Sequence, residues 1–195
     1  MNAQRFLDRL SAFHQLSSDC RDSIYAIIQE EIYTRNEVIV SPGQISSKLW
    51  FIEKGFAMQY TYKDFDKRPY RFWQEGELVV NIAGFFGRIP SEIYIEILET
   101  STLLAIKYEQ MQSLFGMFPE IQRLAFLIVE DYQESAEKRA MDLLTLSAEQ
   151  RYMQLLEDIP FVEQKVPIDN IATYLGISRK TLGRIRIRKN SRQQC

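Results

Sequence analysis

Ile168-Asp169-Asn170-Ile171-Ala172-Thr173-Tyr174-Leu175-Gly176-Ile177-Ser178-Arg179-Lys180-Thr181-Leu182-Gly183-Arg184-Ile185-Arg186 reads as two short helices that cross at a sharp angle. Such a pair needs a small residue where the second helix passes close to the first, and Ala172 stands there. It needs a turn residue tolerant of positive φ, which Gly176 supplies. Ile171, Leu175, Ile177, Leu182 and Ile185 fall where side chains must fill the wedge between the helices. Ser178 is a natural N-cap for the second helix, because its hydroxyl can accept from a backbone N–H that the helix start leaves unpaired. With those residues turned inward, Arg179, Lys180, Thr181, Arg184 and Arg188 face outward, and nearly all are cationic or hydroxyl-bearing. An ordinary helical hairpin with a solvated basic face would share the cations. It would not require so many apolar and glycine positions to hold at once.

The charge of the chain divides at the same place. Residues 165–195 hold eight Lys or Arg against one acid, Asp169, a local charge of +7, while the other 164 residues carry −9. The net −2 therefore hides a basic end of the kind that meets a polyanion, or that lies as a solvated tail. A content of 46% hydrophobic and 26% charged residues suits a folded chain rather than a disordered one. The longest purely apolar run is six residues, Leu124 to Val129, far short of the roughly 20 that cross a bilayer. The first ten residues contain no apolar core of a signal peptide, so the expectation is a cytoplasmic protein with no membrane contact. Two cysteines and one histidine are too few for a disulfide framework or most metal sites. No nucleophile elbow, P-loop or dinucleotide glycine run is present, and the sequence predicts neither an enzyme nor a cofactor.

Upstream, residues 1–115 read mainly as β. A short helical lead places Phe6, Leu7, Leu10, Phe13 and Leu16 on one face, and a second helix over Asp19–Glu31 groups Ile24, Ile27, Ile28 and Ile32. Short β-branched and aromatic runs follow at 38–40, 49–52, 56–62, 70–73, 77–82, 93–98 and 103–107, separated by Gly and Pro turns. Such spacing predicts an antiparallel sandwich, jelly roll or barrel. Beyond Phe115 the period becomes helical, with Ile121, Ala125, Ile128, Tyr132, Ala136, Ala140 and Leu143 in one stripe. A helix of about 25 residues, roughly 38 Å long, is predicted. Its stripe fits plain core or a two-fold partner helix. Ser147-Ala148-Glu149-Gln150 forms a capping box that restarts a helix ending before Pro160.

On these residues the chain resembles the Crp–Fnr family of bacterial transcription regulators, over roughly residues 20–187. The β-roll resemblance rests on Ser41-Pro42-Gly43-Gln44, Leu49-Trp50-Phe51-Ile52-Glu53-Lys54-Gly55 and Glu75-Gly76-Glu77-Leu78. The DNA-binding resemblance rests on Leu175-Gly176-Ile177-Ser178-Arg179 and Thr181-Leu182-Gly183-Arg184-Ile185. Tyr174-Leu175-Gly176-Ile177 followed by Arg184-Ile185-Arg186 is similar to the Bacteroidetes-type branch. The resemblance implies an α+β chain in three parts: a cyclic-nucleotide-binding-like, jelly-roll-like antiparallel β-roll over 1–115, a long dimerisation helix over 116–146 and a helix-turn-helix domain over 147–195. It implies a homodimer on a pseudo-palindromic duplex, with RNA polymerase as a further partner. Arg179 and Arg184 are then the candidates for base edges and Lys180 for a base or phosphate, with Ser178 and Thr181 positioning the helix on phosphates. Only Asn190 to Cys195 follow, too few for the family's full β-hairpin wing, so backbone contacts are expected from Arg186, Arg188, Lys189 and Arg192.

The resemblance weakens at the ligand cassette, whose candidates here are Gly76, Glu77, Asn81, Arg88, Ser91 and Glu92. Cyclic-nucleotide members hold the ribose with a glutamate and the phosphate with an arginine followed by a small hydroxyl residue. Counting from Gly76 puts Asn81 at the glutamate position and Ser91-Glu92 at the arginine position, with Arg88 three residues early. A cyclic phosphate would meet Glu92 without an aligned guanidinium, which argues against cyclic-nucleotide binding and for another ligand or none. The competing reading is a ligand-binding β-roll protein whose basic C-terminus serves a protein partner. Sequence preference on DNA separates the two.

Overall fold

A computed structural model describes residues 3–193, with side chains as far as Lys189. Helices α1 (Gln4–Phe13) and α2 (Ser18–Ile27) lead into strands β1 (Gln29–Tyr33), β2 (Val38–Val40), β3 (Lys48–Lys54), β4 (Ala57–Lys63), β5 (Asp66–Trp73) and β6 (Leu78–Val79). A short helix α3 (Ile82–Phe85) precedes β7 (Tyr94–Ile97) and β8 (Ser101–Lys107). The helical part comprises α4 (Tyr108–Met117), α5 (Pro119–Thr145), α6 (Ala148–Asp158), α7 (Val162–Lys165), α8 (Ile168–Tyr174) and α9 (Arg179–Gln193). The strands pair antiparallel in two sheets of order β1-β8-β3-β6 and β2-β7-β4-β5. This is the expected α+β architecture: a jelly-roll-like β-roll, a long helix and a cluster of C-terminal helices.

Alternating side chains sort the sheets into layers, because successive residues of a strand point to opposite faces. Trp50, Ile52, Val79, Leu103 and Ala105 of the first sheet meet Val40, Ala57, Trp73, Ile95 and Ile97 of the second inside the roll. The outer face of the first sheet, with Leu49, Phe51, Leu104 and Ile106, is covered by α1, α2, α4 and the first half of α5. The outer face of the second, with Phe56, Met58, Tyr60 and Phe72, is covered by α6 to α9. At the centre of the first sheet β3 is therefore buried on both faces, and Leu49–Ile52 reads as a continuous apolar run for that reason.

Two sequence expectations change. The second helix ends at Ile27, and Glu31 and Ile32 belong to β1, whose register with β8 runs from Gln29 opposite Ala105 to Tyr33 opposite Ser101. The free edge of the sheet takes a segment whose apolar spacing also suited a helix. The strand expected over 77–82 is reduced to Leu78–Val79, paired with Phe51 and Trp50. It stops there because the Asn81 side chain accepts from Gly84 N at 3.2 Å and starts α3.

Helix α5 runs 27 residues from Pro119 at its first position. Its stripe serves two purposes along its length. Ile121 and Ile128 are core, joined by Leu124 beside the stripe, whereas Ala136, Ala140 and Leu143 are exposed, with Met141 and Leu144 exposed next to them, Leu144 to 83%. Phe126, off the stripe, is also exposed.

The turn from β3 to β4 depends on Gly55, which has φ +123°, and whose added Cβ would lie 1.9 Å from Ser101 Oγ. Gly55→Ala is expected to destabilise the fold by on the order of 3 kcal/mol, through strain and overpacking together. Chemical denaturation with an unchanged slope would measure it.

Candidate nucleic-acid interface

The turn between α8 and α9 has the geometry its residues require. Gly176 takes φ +69°, and Ile171, Ala172, Leu175, Leu182 and Ile185 are buried together with Tyr152, Leu155, Val162 and Val166. The Ser178 hydroxyl accepts from Thr181 N at 3.1 Å and lies 2.9 Å from the Thr181 hydroxyl, so both hydroxyls are engaged at the start of α9. Two arginines absent from the sequence reading hold the turn from outside. Arg139 of α5 donates to the Tyr174 carbonyl at 2.7 Å, its guanidinium 3.7 Å from the centre of the Tyr174 ring. Arg151 of α6 donates to the Leu175 carbonyl from Nε at 3.1 Å and Nη2 at 2.9 Å. The carbonyls that the end of α8 leaves unpaired are thus satisfied by cations, which the helix dipole also favours.

The candidate cations fall into two sets. Arg186 pairs with Glu163 at 2.8 Å, Arg188 with Glu149 at 3.8 Å, and Lys189 lies 5.8 Å from the ring centre of Tyr152. These three turn back toward α6 and α7. Arg179 pairs with Asp169 of α8 at 2.9 Å while remaining largely exposed. Lys180 and Arg184 are exposed and have no ion-pair partner among the described residues. The outward face of α9 is therefore narrower than the cation count suggests: Lys180, Gly183, Arg184 and Ile187, with Ile187 68% exposed. The Arg192 side chain and Cys195 lie outside the described residues.

The β-roll cassette is folded onto itself. Gly76 turns with φ +87° and donates from its N–H to the Ile52 carbonyl at 2.9 Å. Glu77 accepts from Gln74 N at 2.7 Å. Asn81 is buried as the cap of α3, and its amide nitrogen has no partner. Arg88, at φ +53°, donates to the Ser46 carbonyl at 2.9 Å with its guanidinium 4.0 Å from the centre of the Tyr108 ring. Ser91 is buried and joined to Ile93 through both backbone groups, while Glu92 is exposed. Arg88 and Glu92 thus do not converge with Asn81 on a shared cavity. The aromatic residues Phe51, Tyr60, Phe72, Trp73 and Phe85 are buried core.

Tyr132 of α5, one residue of the apolar stripe, makes a polar junction that periodicity could not reveal. Its hydroxyl donates to the Leu78 carbonyl at 2.6 Å and accepts from Val80 N at 3.2 Å and Trp73 Nε1 at 3.1 Å. Arg71 stacks 4.0 Å above its ring and donates to its carbonyl at 3.3 Å. Burial pushes the phenol up to about 12, against the Arg71 charge. A cleft of about 830 Å3 lies beside this junction, between β5, α5 and α8. No group of three or more His, Cys, Asp or Glu among the described residues is placed to hold a metal, and none of their helices is long and apolar enough to cross a membrane. The Cys20 thiol is buried and is pushed up to about 12 by that burial.

Residues 30–117 match the family model of the cyclic nucleotide-binding domain. Among solved structures, the chain is similar to FixK2 of Bradyrhizobium japonicum, with TM-score 0.72, 16% identity and coverage of 86% of each chain. It is similar also to the c-di-GMP-responsive global regulator CLP of Xanthomonas campestris (TM-score 0.66, 19% identity, 91% of this chain and 93% of that one). The catabolite activator protein of Thermus thermophilus aligns with TM-score 0.56 at 20% identity, over 95% of this chain and 88% of its own. The fold is Crp-like. None of the curated proteins matches the chain by sequence.

Within this Crp-like fold the Tyr132 junction ties the long helix to the roll. Tyr132→Phe leaves the Leu78 carbonyl and two donors without their buried partner and is expected to lower stability by about 1–3 kcal/mol in chemical denaturation. Burial also holds the Glu77 carboxyl above the usual carboxylate range, against the Gln74 amide and the Arg9 and Arg71 charges. A carboxyl raised in the folded state favours folding only while protonated, and that contribution is lost as pH rises through the folded value. Glu77→Gln should therefore melt higher than the parent at pH 7–8, with the advantage shrinking as pH falls to about 4. A constant offset across that range would exclude the charge as its cause.

Proposed function

We propose that the protein is a homodimeric, sequence-specific DNA-binding transcription regulator rather than an enzyme. The observation that carries this is the outward face of α9, where Lys180 and Arg184 are exposed without ion-pair partners among the described residues, on a helix fixed by a glycine turn and a buried apolar wedge. Arg184 is assigned to a guanine edge, since a guanidinium pairs bidentately with O6 and N7. Lys180 takes a base or a phosphate. Arg179, Arg186, Arg188 and Lys189 serve the backbone, exchanging weak surface ion pairs for phosphates, with Ser178 and Thr181 setting the helix start.

The reading assigns 1–115 to a sensor-like roll, 116–146 to dimerisation and 147–195 to DNA. The exposed Met141, Leu143 and Leu144 on the second half of α5 support a second copy there. Such a dimer would place two α9 helices about 34–36 Å apart and read a pseudo-palindrome, with RNA polymerase as the downstream partner. Tyr174–Ile177 and Arg184–Arg186 are the residues that support membership of the Bacteroidetes-type branch. A small effector has the cleft beside Tyr132 as its place. Cyclic nucleotides are disfavoured, because Arg88 is held at Ser46 and Tyr108 and Glu92 would face the phosphate.

Selection of the full chain from a random duplex library without added ligand, followed by a salt titration on the winner, tests the reading. The expected result is a palindromic consensus and a steep fall of affinity with salt. Arg184→Ala should then cost about 1–3 kcal/mol and relax one position of the site. No enrichment, with or without cell extract, would favour a protein partner for the basic end.

A further inference from the structure

Taking a charge out of water is costly unless something pairs with it, so a half-buried cation normally has an acid beside it. On α9, Arg179 and Arg186 have carboxylates within 2.9 Å although both are exposed. The cleft beside Tyr132 shows the reverse. Arg71 of β5 and Arg139 of α5 line it, both are half-buried, and neither has an ion-pair partner among the described residues. In all, Arg9, Arg71, Lys138, Arg139 and Arg151 line the cleft against Glu77 and three aspartates, and burial holds Glu77 toward its neutral form. The cleft therefore carries uncompensated positive charge.

The two guanidiniums are already set in place. Arg71 lies 4.0 Å from the centre of the Tyr132 ring and donates to the Tyr132 carbonyl at 3.3 Å. Arg139 lies 3.7 Å from the centre of the Tyr174 ring and donates to the Tyr174 carbonyl at 2.7 Å. A fork held by a ring and a carbonyl has lost its rotamer freedom before any ligand arrives, and most of its five donors remain for one. Tyr132 and Arg139 are two turns apart on α5, so the two forks are on the order of 10 Å apart. Between them on the same face stands Ala136, small and exposed, and Trp73 adds an aromatic side chain to the lining. The volume, about 830 Å3, is that of a site for a small organic molecule.

We infer that the cleft binds an elongated organic dianion, with one carboxylate or phosphate on Arg71, the other on Arg139 and an apolar spacer of about 10 Å over Ala136. A single phosphate would leave one of the two forks unmatched. Such a ligand ties β5 to the turn before α9, because Arg139 also holds the Tyr174 carbonyl. The inference rests on the reading that the cleft takes a small effector, and it names that effector's chemistry. It does not need the partner of α9 to be DNA.

The experiment melts the full chain with α,ω-alkane dicarboxylates from succinate to dodecanedioate, with the matching bisphosphonates, and with octanoate as a single-headed control. The expected result is a length optimum near azelate, raising the melting temperature by about 3–6 °C at roughly ten times the dissociation constant. The series with the larger shift names the head group. Arg139→Gln, titrated by calorimetry, should bind the best dianion tenfold or more weakly and bind octanoate as the parent does, a split that a general loss of structure would not give. Equal shifts from short and long chains, no shift in either series, or an equal loss for octanoate overturns the inference. Duplex selection on the same preparation reports separately on the DNA-binding reading. A parent that enriches a palindrome but ignores both series loses only the inference, and one that takes the dianion but enriches no sequence loses only that reading.

Discussion

The sheet β2-β7-β4-β5 carries large apolar side chains on both faces, and much of the rest of the chain is arranged to cover them. Ala57, Trp73, Ile95 and Ile97 close the roll from inside, while Phe56, Met58, Tyr60 and Phe72 need cover from outside. Burying a side chain of that size contributes about 1.5–3 kcal/mol, so leaving four in water would be a large loss for a marginally stable chain. The cover is the helical cluster that carries α9. Its own core, Ile171, Leu175, Leu182 and Ile185, is continuous with the outer face of the sheet. The orientation of α9 relative to the roll is thereby fixed by packing, and it does not depend on the connection through Leu146 and Ser147 alone.

Helix α5 packs on the first sheet through Ile121, Leu124 and Ile128, and beyond them it joins the parts by polar contacts. Tyr132 and Arg139 are seven residues apart, two turns along one face. Tyr132 reaches into the roll through Leu78, Val80 and Trp73, and Arg139 reaches the α8 turn through the Tyr174 carbonyl. Each junction pairs a guanidinium with a tyrosine ring, Arg71 over Tyr132 and Arg139 over Tyr174, an interaction worth roughly 0.5–2 kcal/mol according to its exposure. Moving α5 by a fraction of a turn would break both together. The long helix thereby bridges the roll and the turn between α8 and α9, with the cleft lying beside it.

The fold was legible in sequence where residue type and backbone demand coincide. Gly176, Ala172, Ser178 and the five apolar wedge positions each answer a local requirement, and the strand runs are punctuated by glycines with positive φ at 43, 55 and 76. What could not be read were choices made by partners distant in the chain. Ile32 suits a helix stripe and a strand equally, and only the exposed edge of β8 decides for the strand. Tyr132 looks like one more apolar step, since its function lies in a hydroxyl whose partners are some fifty residues away. Arg139 and Arg151 read as surface charge until the carbonyls of Tyr174 and Leu175 are placed beside them. In α9, charge counting found the cations but not which of them have acids opposite.

If the basic end binds DNA as proposed, those acids matter for how it discriminates. On the proposed reading, Asp169, Glu163 and Glu149 stand against Arg179, Arg186 and Arg188, and Lys165 is paired with Glu99, so four of the eight cations of residues 165–195 have an acid beside them. Exposed pairs of this kind contribute little to stability, and a phosphate can replace the carboxylate without large loss. The displaced carboxylate remains close by, however, and repels any polyanion that does not hold the arginine in good geometry. A bidentate phosphate contact compensates for that repulsion, whereas a loosely held backbone does not. The acids therefore weaken indiscriminate binding more than they weaken a well-registered complex. On the proposed DNA-binding reading, Lys180 and Arg184, without ion-pair partners among the described residues, are left to decide which surface is registered.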